Sequence, residues 1–175
     1  KKLFYEKIKH KYQDFNIKYI ILDTLVGDTD WDRESYQRNC MLDAISEFSN
    51  SDIILISDID EIPELSTYKY DEGAFSHRMY YFYFNTFVTS SWIGTVAITA
   101  GKIREKHIQY FRDVRLELPQ VGKGVHFSTL GSIKDVIYKV ESFSHQELNI
   151  PKVKDNISLM KENLRDPFGR TTKKL

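Results

Sequence analysis

The first third of the chain predicts a strand, a helix and a second strand in that order, and this order constrains the fold more than any other feature. Residues 17–23 are rich in β-branched side chains, which is typical of a strand. Apolar side chains then recur at helical spacing from about Asp32, the expected N-cap, to Phe48. Residues 52–57 are mostly apolar, as expected for a strand that is buried on both faces. Together these elements predict a right-handed βαβ unit and a parallel sheet.

The rest of the chain also alternates strands and helices. Residues 74–100 predict several strands with many aromatic side chains, and residues 121–127 predict one more. Four further helices are predicted, at residues 4–15, 105–112, 133–143 and 153–164. The chain has neither an internal repeat nor a linker rich in Pro, Gly or Ser. We therefore expect one α/β domain over residues 1–175, with a mixed, mostly parallel sheet flanked by helices.

The composition excludes several classes of protein. The formal net charge is +0, which argues against a general nucleic-acid binder. No apolar run approaches the roughly 18 residues of a membrane span, so no membrane segment is predicted in this chain. The single cysteine, Cys40, excludes an internal disulfide and a cysteine-based zinc site.

The two halves of the chain differ in charge. Residues 23–72 carry 14 acidic and 3 basic side chains, whereas residues 102–175 carry 15 basic and 9 acidic ones. An acidic segment can supply ligands for a cation, and a basic one can hold an anionic substrate. Solvated loops and helix faces produce the same counts, so charge alone does not choose between these interpretations.

Two aspartates follow directly after the second predicted strand. In parallel sheets ligands bind beyond the carboxyl ends of the strands, which is where Asp58 and Asp60 are expected. Side chains at positions i and i+2 of an extended backbone point the same way. Two such carboxylates repel each other unless a cation lies between them or one is protonated. Their hard oxygen ligands suit Mg²⁺ or Mn²⁺, which leave positions open for phosphate oxygens. A surface turn that caps the next segment is the alternative.

Four segments, taken together, resemble one enzyme family. They lie in order at residues 31–39, 58–63, 124–128 and 139–147, with the sequences WDRESYQRN, DIDEIP, GVHFS and KVESFSHQE. This set is similar to glycosyltransferase family 17, the β-1,4-mannosyl-glycoprotein N-acetylglucosaminyltransferase family, and the similarity runs from about Lys2 to Gly169. Val125 departs from the family pattern, which has an aromatic residue between this glycine and histidine.

The resemblance implies a fold and a reaction. The fold would be the GT-A-like fold of nucleotide-diphospho-sugar transferases, with its first βα unit apparently missing because that unit would precede Lys1. The reaction would transfer N-acetylglucosamine, with inversion, from a UDP-sugar donor to a mannose-type or other glycan acceptor. The compartment would be the cytoplasm for a microbial enzyme and the Golgi lumen for a eukaryotic secretory one. The oligomeric state stays open.

The resemblance also assigns residues to the metal and the diphosphate. Asp58 and Asp60 would contact Mn²⁺ or Mg²⁺ and the diphosphate, with direct metal contact expected first for Asp60. His126 or His145 would supply a third protein ligand or a phosphate contact. For either histidine a purely structural role is the alternative.

Four further residues receive roles near this metal. Arg33 and Arg38 would hold phosphate or brace the acidic strand end, although an i,i+4 ion pair from Glu34 to Arg38 is an equally ordinary use of these side chains. Inversion needs a carboxylate that takes the proton of the acceptor hydroxyl. Glu141 and Glu147 are the candidates for that base.

Two other functions fit parts of the sequence. A phosphatase of the haloacid dehalogenase type also places Asp-x-Asp after a buried strand, with the first aspartate as nucleophile. The late acidic motif of that class is missing from this sequence. A non-catalytic glycan-binding domain with a degenerate site is the second alternative, against which the presence of both Asp58 and Asp60 argues.

Overall fold

The computed structural model describes residues 6–165 and 172–174, and its centre is a six-stranded mixed sheet. The strands are β1 (Ile53–Ile56), β2 (Glu61–Glu64), β3 (Gly73–Phe82), β4 (Thr86–Thr99), β5 (Gln120–Leu130) and β6 (Thr172–Lys174). Their order across the sheet is β1-β4-β3-β5-β2, and β6 pairs with β4.

Short helices connect and cover the strands. The α-helices are α1 (Asp30–Asn39), α2 (Ala100–Lys106), α3 (Ile108–Asp113), α4 (Ile133–Ser142), α5 (Pro151–Asp155) and α6 (Ile157–Glu162). Turns of 3₁₀ helix lie at Lys9–Tyr12, Cys40–Ile45, Leu65–Thr67 and Gln146–Leu148. Among the residues described here, no helix combines the length and the apolar character that a bilayer span requires.

The prediction of a mixed sheet is confirmed, but the prediction that it is mostly parallel is wrong. Within the described residues, four of the five strand pairings are antiparallel, and β3 with β5 is the parallel one. The reason lies in the connections. A three-residue turn joins β3 to β4 as a hairpin, whereas α2 and α3 carry the chain across before β5 returns beside β3.

The strand predicted at residues 17–23 is absent, and with it the predicted βαβ unit. The segment forms no ladder, and its apolar side chains stay largely exposed, with Tyr19 at 45% and Ile21 at 43%. A cavity of about 840 Å³ separates residues 18–22 from residues 54–59 of β1 and the following loop. A segment with high strand propensity still forms no ladder when the neighbouring strand lies beyond hydrogen-bonding distance.

The helix predicted from Asp32 exists, but Asp32 is not its N-cap. Thr29 caps α1, because its hydroxyl accepts a bond from the backbone N–H of Asp32 at 3.1 Å. The Asp32 carboxylate in turn accepts from the backbone N–H of Thr29 at 2.9 Å, which completes a capping box. After Asn39 the helix tightens into the 3₁₀ turn. The same reciprocal cap, formed by Ser132 and Asp135, begins α4 where the apolar spacing predicts it.

Two predicted helices are each broken once. The helix at 105–112 is interrupted at His107, whose φ of 67° lies in the left-handed region and separates α2 from α3. The helix at 153–164 is interrupted at Asn156, between α5 and α6. β1 also differs from its prediction, because Ile56 is buried while Ile53 is 36% exposed.

The core lies on both faces of the sheet. One cluster packs α2, α3 and the 3₁₀ turn at 40–45 against β1 and β4, around Val96 and Ile103, which are fully buried. A second cluster packs α4 and α6 against β3, around Val136 and Ile157. These two layers hold α1, α3 and α4 around the loop that joins β1 to β2.

Candidate functional site

The two aspartates lie in the tight turn between β1 and β2. The backbone N–H of Glu61 donates to the carbonyl of Asp58 at 3.0 Å, so the chain reverses within four residues. The Ser57 hydroxyl donates to the Glu61 carbonyl at 3.0 Å and reinforces this turn. Ile59, at its tip, is fully exposed. The turn thus presents Asp58 and Asp60 from a fixed backbone at the carboxyl end of β1.

Asp58 is bound by two guanidinium groups. Arg38 of α1 donates to one carboxylate oxygen at 3.1 Å, and Arg112 of α3 donates to the other at 2.7 Å. The Asp58 side chain is 39% exposed, while Arg38 and Arg112 are 12% and 4% exposed. Asp58 is therefore a solvent-facing carboxylate whose charge two largely buried cations offset.

Asp60 contacts a different pair of groups. Nε2 of His126, on β5, lies 3.3 Å from one carboxylate oxygen, and Nζ of Lys139, on α4, lies 2.9 Å from the other. Burial by itself raises the pKa of Asp60, but the hydrogen bond from His126 and the charge and hydrogen bond of Lys139 outweigh it. The pKa of Asp60 lies well below its usual range. Asp60 is ionised at neutral pH.

Beneath the two aspartates lies a buried ion pair. Both oxygens of Glu61 accept from Arg112, at 2.9 and 3.1 Å, and one also accepts from Nε1 of Trp92 at 2.6 Å. Burial by itself raises the pKa of Glu61, but the hydrogen bonds and charge of Arg112 lower it by more than burial raises it. The carboxylate therefore stays ionised. Because Arg112 also holds Asp58, the pair links the buried side of β2 to the exposed turn.

A polar cavity of about 540 Å³ opens in front of Asp58. Its lining brings together four of the residues that the sequence singled out, namely Arg33, Arg38, Asp58 and Glu141. Ile59 lines this cavity and also the 840 Å³ cavity beside residues 18–22. The second cavity has a mostly apolar lining and also shares Asp58 with the first, so a polar and an apolar compartment adjoin at the turn.

Of the two arginines, Arg38 reaches the acidic turn and Arg33 does not. Arg33 donates to the carbonyl of Gly27 at 2.9 Å and to Asp30 at 2.7 Å, and so fixes the loop at the start of α1. Arg38 forms the predicted i,i+4 ion pair with Glu34 at 2.8 Å in addition to its bond to Asp58. Arg38 therefore contacts the acidic turn, and its predicted role there stays a prediction.

The two candidate bases lie in different surroundings. Glu141 lines the polar cavity, and its carboxylate accepts from Nζ of Lys154 at 3.1 Å. Glu147 lies outside that lining and pairs with Nδ1 of His145 at 2.7 Å. That hydrogen bond lowers the pKa of Glu147. His145 in turn packs edge-on against Trp31, at 4.7 Å between ring centroids. Of the two, Glu141 is the one that lines the polar cavity together with Asp58.

The donor chemistry of the turn fits a divalent ion of the Mg²⁺ or Mn²⁺ kind. Such ions need only one or two protein carboxylates when substrate phosphates complete the coordination. Asp60 is ionised, and each of its oxygens keeps a lone pair after bonding His126 or Lys139. Within the described ranges, no three His, Cys, Asp or Glu side chains form a ready-made metal cluster. A metal ion here would therefore take its remaining ligands from water or from phosphate oxygens.

From the sequence, Asp58 and Asp60 were expected to need a bound cation or a proton to lie so close together. The protein supplies cations of its own. Repulsion between Asp58 and Asp60 is relieved by Arg38, Arg112 and Lys139, so a divalent ion is not required to make the turn stable. Sequence reasoning missed Arg112 altogether, because it lies 54 residues from Asp58 in the chain and no local pattern marks it. Lys139 does stand in one of the quoted segments, residues 139–147, and that segment was the signal from which its place in the site could have been predicted.

One of three comparisons with known proteins gives a family for this chain. Searches of curated proteins and of solved structures each gave no significant match. The model of glycosyltransferase family 17, by contrast, matches residues 1–164, nearly the whole chain. The match spans the Asp58–Asp60 turn, all the residues of the polar cavity and both candidate bases. The chain therefore belongs to glycosyltransferase family 17.

Proposed function

We propose that this chain is the catalytic part of an inverting glycosyltransferase that moves N-acetylglucosamine from a UDP-sugar to a mannose-type or other glycan. The observation that carries the proposal is the rigid turn with Asp58 and Asp60 beside a polar cavity lined by Arg38 and Glu141. Family membership supports glycosyl transfer, and the chemistry of these side chains supports an activated diphospho-sugar as donor.

In this proposal the donor diphosphate binds at the acidic turn. Asp60, with Asp58 beside it, would hold Mn²⁺ or Mg²⁺, which neutralises the charge that develops on the leaving diphosphate. Arg38 reaches Asp58 from the wall of the polar cavity and has further N–H donors that can bind phosphate oxygens. The apolar cavity next to Ile59 would exclude water from the less polar parts of the donor.

Glu141 is the proposed general base. It lines the same cavity as Asp58, so its carboxylate and the proposed diphosphate site open onto one space in which an acceptor can bind. The ammonium of Lys154 donates to that carboxylate at 3.1 Å and helps to fix its position. Glu147 is bonded to His145 and lies outside the cavity lining, which makes it the weaker candidate.

A phosphatase function has less support. It requires one oxygen of Asp58 to attack phosphorus as a nucleophile. Both oxygens of Asp58 accept hydrogen bonds from guanidinium groups, which hold the carboxylate in place and lower its nucleophilicity.

The first test measures UDP binding by calorimetry, with and without Mn²⁺. We expect the wild-type chain to bind UDP more tightly with Mn²⁺ and Asp60→Ala to lose that increment while keeping its far-ultraviolet circular dichroism. Asp43→Ala removes the same charge from the exposed 3₁₀ turn and should keep the increment. An unchanged response to Mn²⁺ in Asp60→Ala defeats the metal assignment.

The second part of the test concerns the base. With UDP-N-acetylglucosamine and a mannose-terminated glycan, Glu141→Gln should lower transfer by about 10²–10⁴ while UDP binding persists. Glu147→Gln is the matched change outside the cavity and should retain most of the activity. The reverse ranking of these two variants would move the role of base to Glu147.

A further inference from the structure

The Asp60 carboxylate already has a cation of its own. Nζ of Lys139 lies 2.9 Å from Oδ2 of Asp60, although the two residues are 79 positions apart in the sequence. The apolar packing of Val136 and Val140 against the sheet fixes the face of α4 from which Lys139 projects. The same carboxylate is the one for which a divalent ion is proposed, so two cations have a claim on it.

Lys139 differs from the other cations of the turn. Arg112 is 4% exposed and is bonded to both Asp58 and Glu61, and Arg38 is 12% exposed and is bonded to both Asp58 and Glu34. Lys139 is 35% exposed and its ammonium contacts Asp60. A lysine ammonium on a flexible four-carbon stem can move between neighbouring anions, whereas a guanidinium held at several points cannot. Lys139 is therefore the cation that can leave its carboxylate at the lowest free-energy cost.

We propose that Lys139 is the resident counter-cation of Asp60 and a phosphate-binding residue of the donor site, so that its ammonium and a divalent ion compete for one carboxylate. Without a divalent ion, Lys139 neutralises Asp60 and keeps positive charge beside the site of the diphosphate. When Asp60 binds a divalent ion, the Lys139 ammonium is released and can bind a phosphate oxygen. The phosphate half of this proposal rests on the whole proposed function, whereas the competition at Asp60 rests on its metal site alone.

The competition is tested by titrating Mn²⁺ into the full chain and following the free ion by electron paramagnetic resonance. Lys139→Met removes the charge but keeps an unbranched side chain of similar helix propensity. We expect it to bind Mn²⁺ about five to ten times more tightly than the wild type, because one positive charge close to the ion is removed. Lys134→Met, an exposed lysine on the first turn of the same helix, is the matched control and should leave the affinity unchanged.

A conservative variant separates charge from packing. Lys139→Arg keeps a positive charge near Asp60 and should keep the weaker, wild-type Mn²⁺ affinity. Unchanged or undetectable Mn²⁺ binding in Lys139→Met overturns the competition. Equal tightening in Lys139→Arg and Lys139→Met overturns it as well, since charge would then not be the cause.

The phosphate role is tested by measuring UDP binding at saturating Mn²⁺, where the Lys139 ammonium is released from Asp60. Wild type and Lys134→Met should bind UDP measurably under these conditions, and Lys139→Met should bind it about five to ten times more weakly. Equal UDP affinities in the two methionine variants would refute the phosphate role of Lys139. If the wild type binds no UDP with or without Mn²⁺, the proposed function itself fails, and the Mn²⁺ titration still decides the competition at Asp60.

Discussion

The ion pair of Arg112 and Glu61 offers a sharp test of how the acidic turn is held. The two side chains are 4% and 0% exposed, and two hydrogen bonds of 2.9 and 3.1 Å join them. Arg112→Met removes the guanidinium but retains an unbranched apolar stem. The carboxylate of Glu61 is then left buried without its cation.

The magnitude of the effect follows from this burial. Removing one partner of a buried ion pair costs about 3–5 kcal/mol, mainly because the other charge remains without compensation. The second contact of Arg112, to Asp58, adds less than about 1 kcal/mol, because Asp58 is 39% exposed and keeps Arg38. For a chain of this length the loss corresponds to a decrease in Tm of about 6–20 °C.

The assay is urea unfolding at pH 7 and 25 °C, followed by circular dichroism and tryptophan fluorescence. Glu61→Gln removes the opposite charge and keeps an oxygen that can accept from Trp92. In the double variant Arg112→Met/Glu61→Gln no buried charge is left unpaired. We therefore expect its loss in free energy of unfolding to be at least about 2 kcal/mol smaller than the sum of the losses in the two single variants.

Two outcomes would refute this reasoning. One is a loss below about 1 kcal/mol for Arg112→Met, which would mean that solvent reaches Glu61 easily. The other is an additive double variant, which would mean that the two charges do not depend on each other.

Two other predictions concern the packing around His77. Burial lowers the pKa of His77 to about 4, from 6.5 when the side chain is solvated, so the unfolded chain takes up the proton first as the pH falls. The free energy of unfolding should therefore decrease by up to about 3 kcal/mol as the pH falls from 6.5 to 4. Urea unfolding of His77→Gln should show a smaller decrease over this range. An unchanged decrease would mean that His77 is not its cause. Gly124→Ala places a methyl group against the His77 ring and 2.5 Å from the Ile62 carbonyl, and should cost about 1–3 kcal/mol in thermal unfolding. Gly101→Ala, where the nearest atom is 3.1 Å away, should cost less, and equal effects would show that the strand around Gly124 yields easily.

Local patterns were sufficient to predict much of the fold. β1, β5 and α4 were predicted close to their observed bounds, because each combines a clear apolar period with a defined start and end. The run at residues 17–23 has equally good strand propensity and still forms no ladder, since pairing depends on a neighbour that propensity does not specify. The prediction of a mostly parallel sheet was wrong for the same reason, because strand order and direction are set by connections and contacts that are distant in sequence.

The site was predictable to the extent that its residues stand in recognisable segments. Asp58 and Arg38 were found in this way, and they do meet, at 3.1 Å. Arg112 carries no local signal, since its partners Asp58 and Glu61 are more than 50 residues away. Its role follows from the packing of α3 against the sheet, which brings a single arginine beneath the turn.

The position of β1 at the end of the strand order has a practical consequence. In the described part of the chain β4 is its sole ladder partner, so its other edge keeps unpaired backbone donors and acceptors along the sequence Ile-Ile-Leu-Ile. Unpaired apolar strand edges can recruit strands from other molecules and lead to aggregation. Preparations of this chain should therefore be kept dilute, and solubility is best improved by covering this edge, not by adding charge elsewhere on the surface.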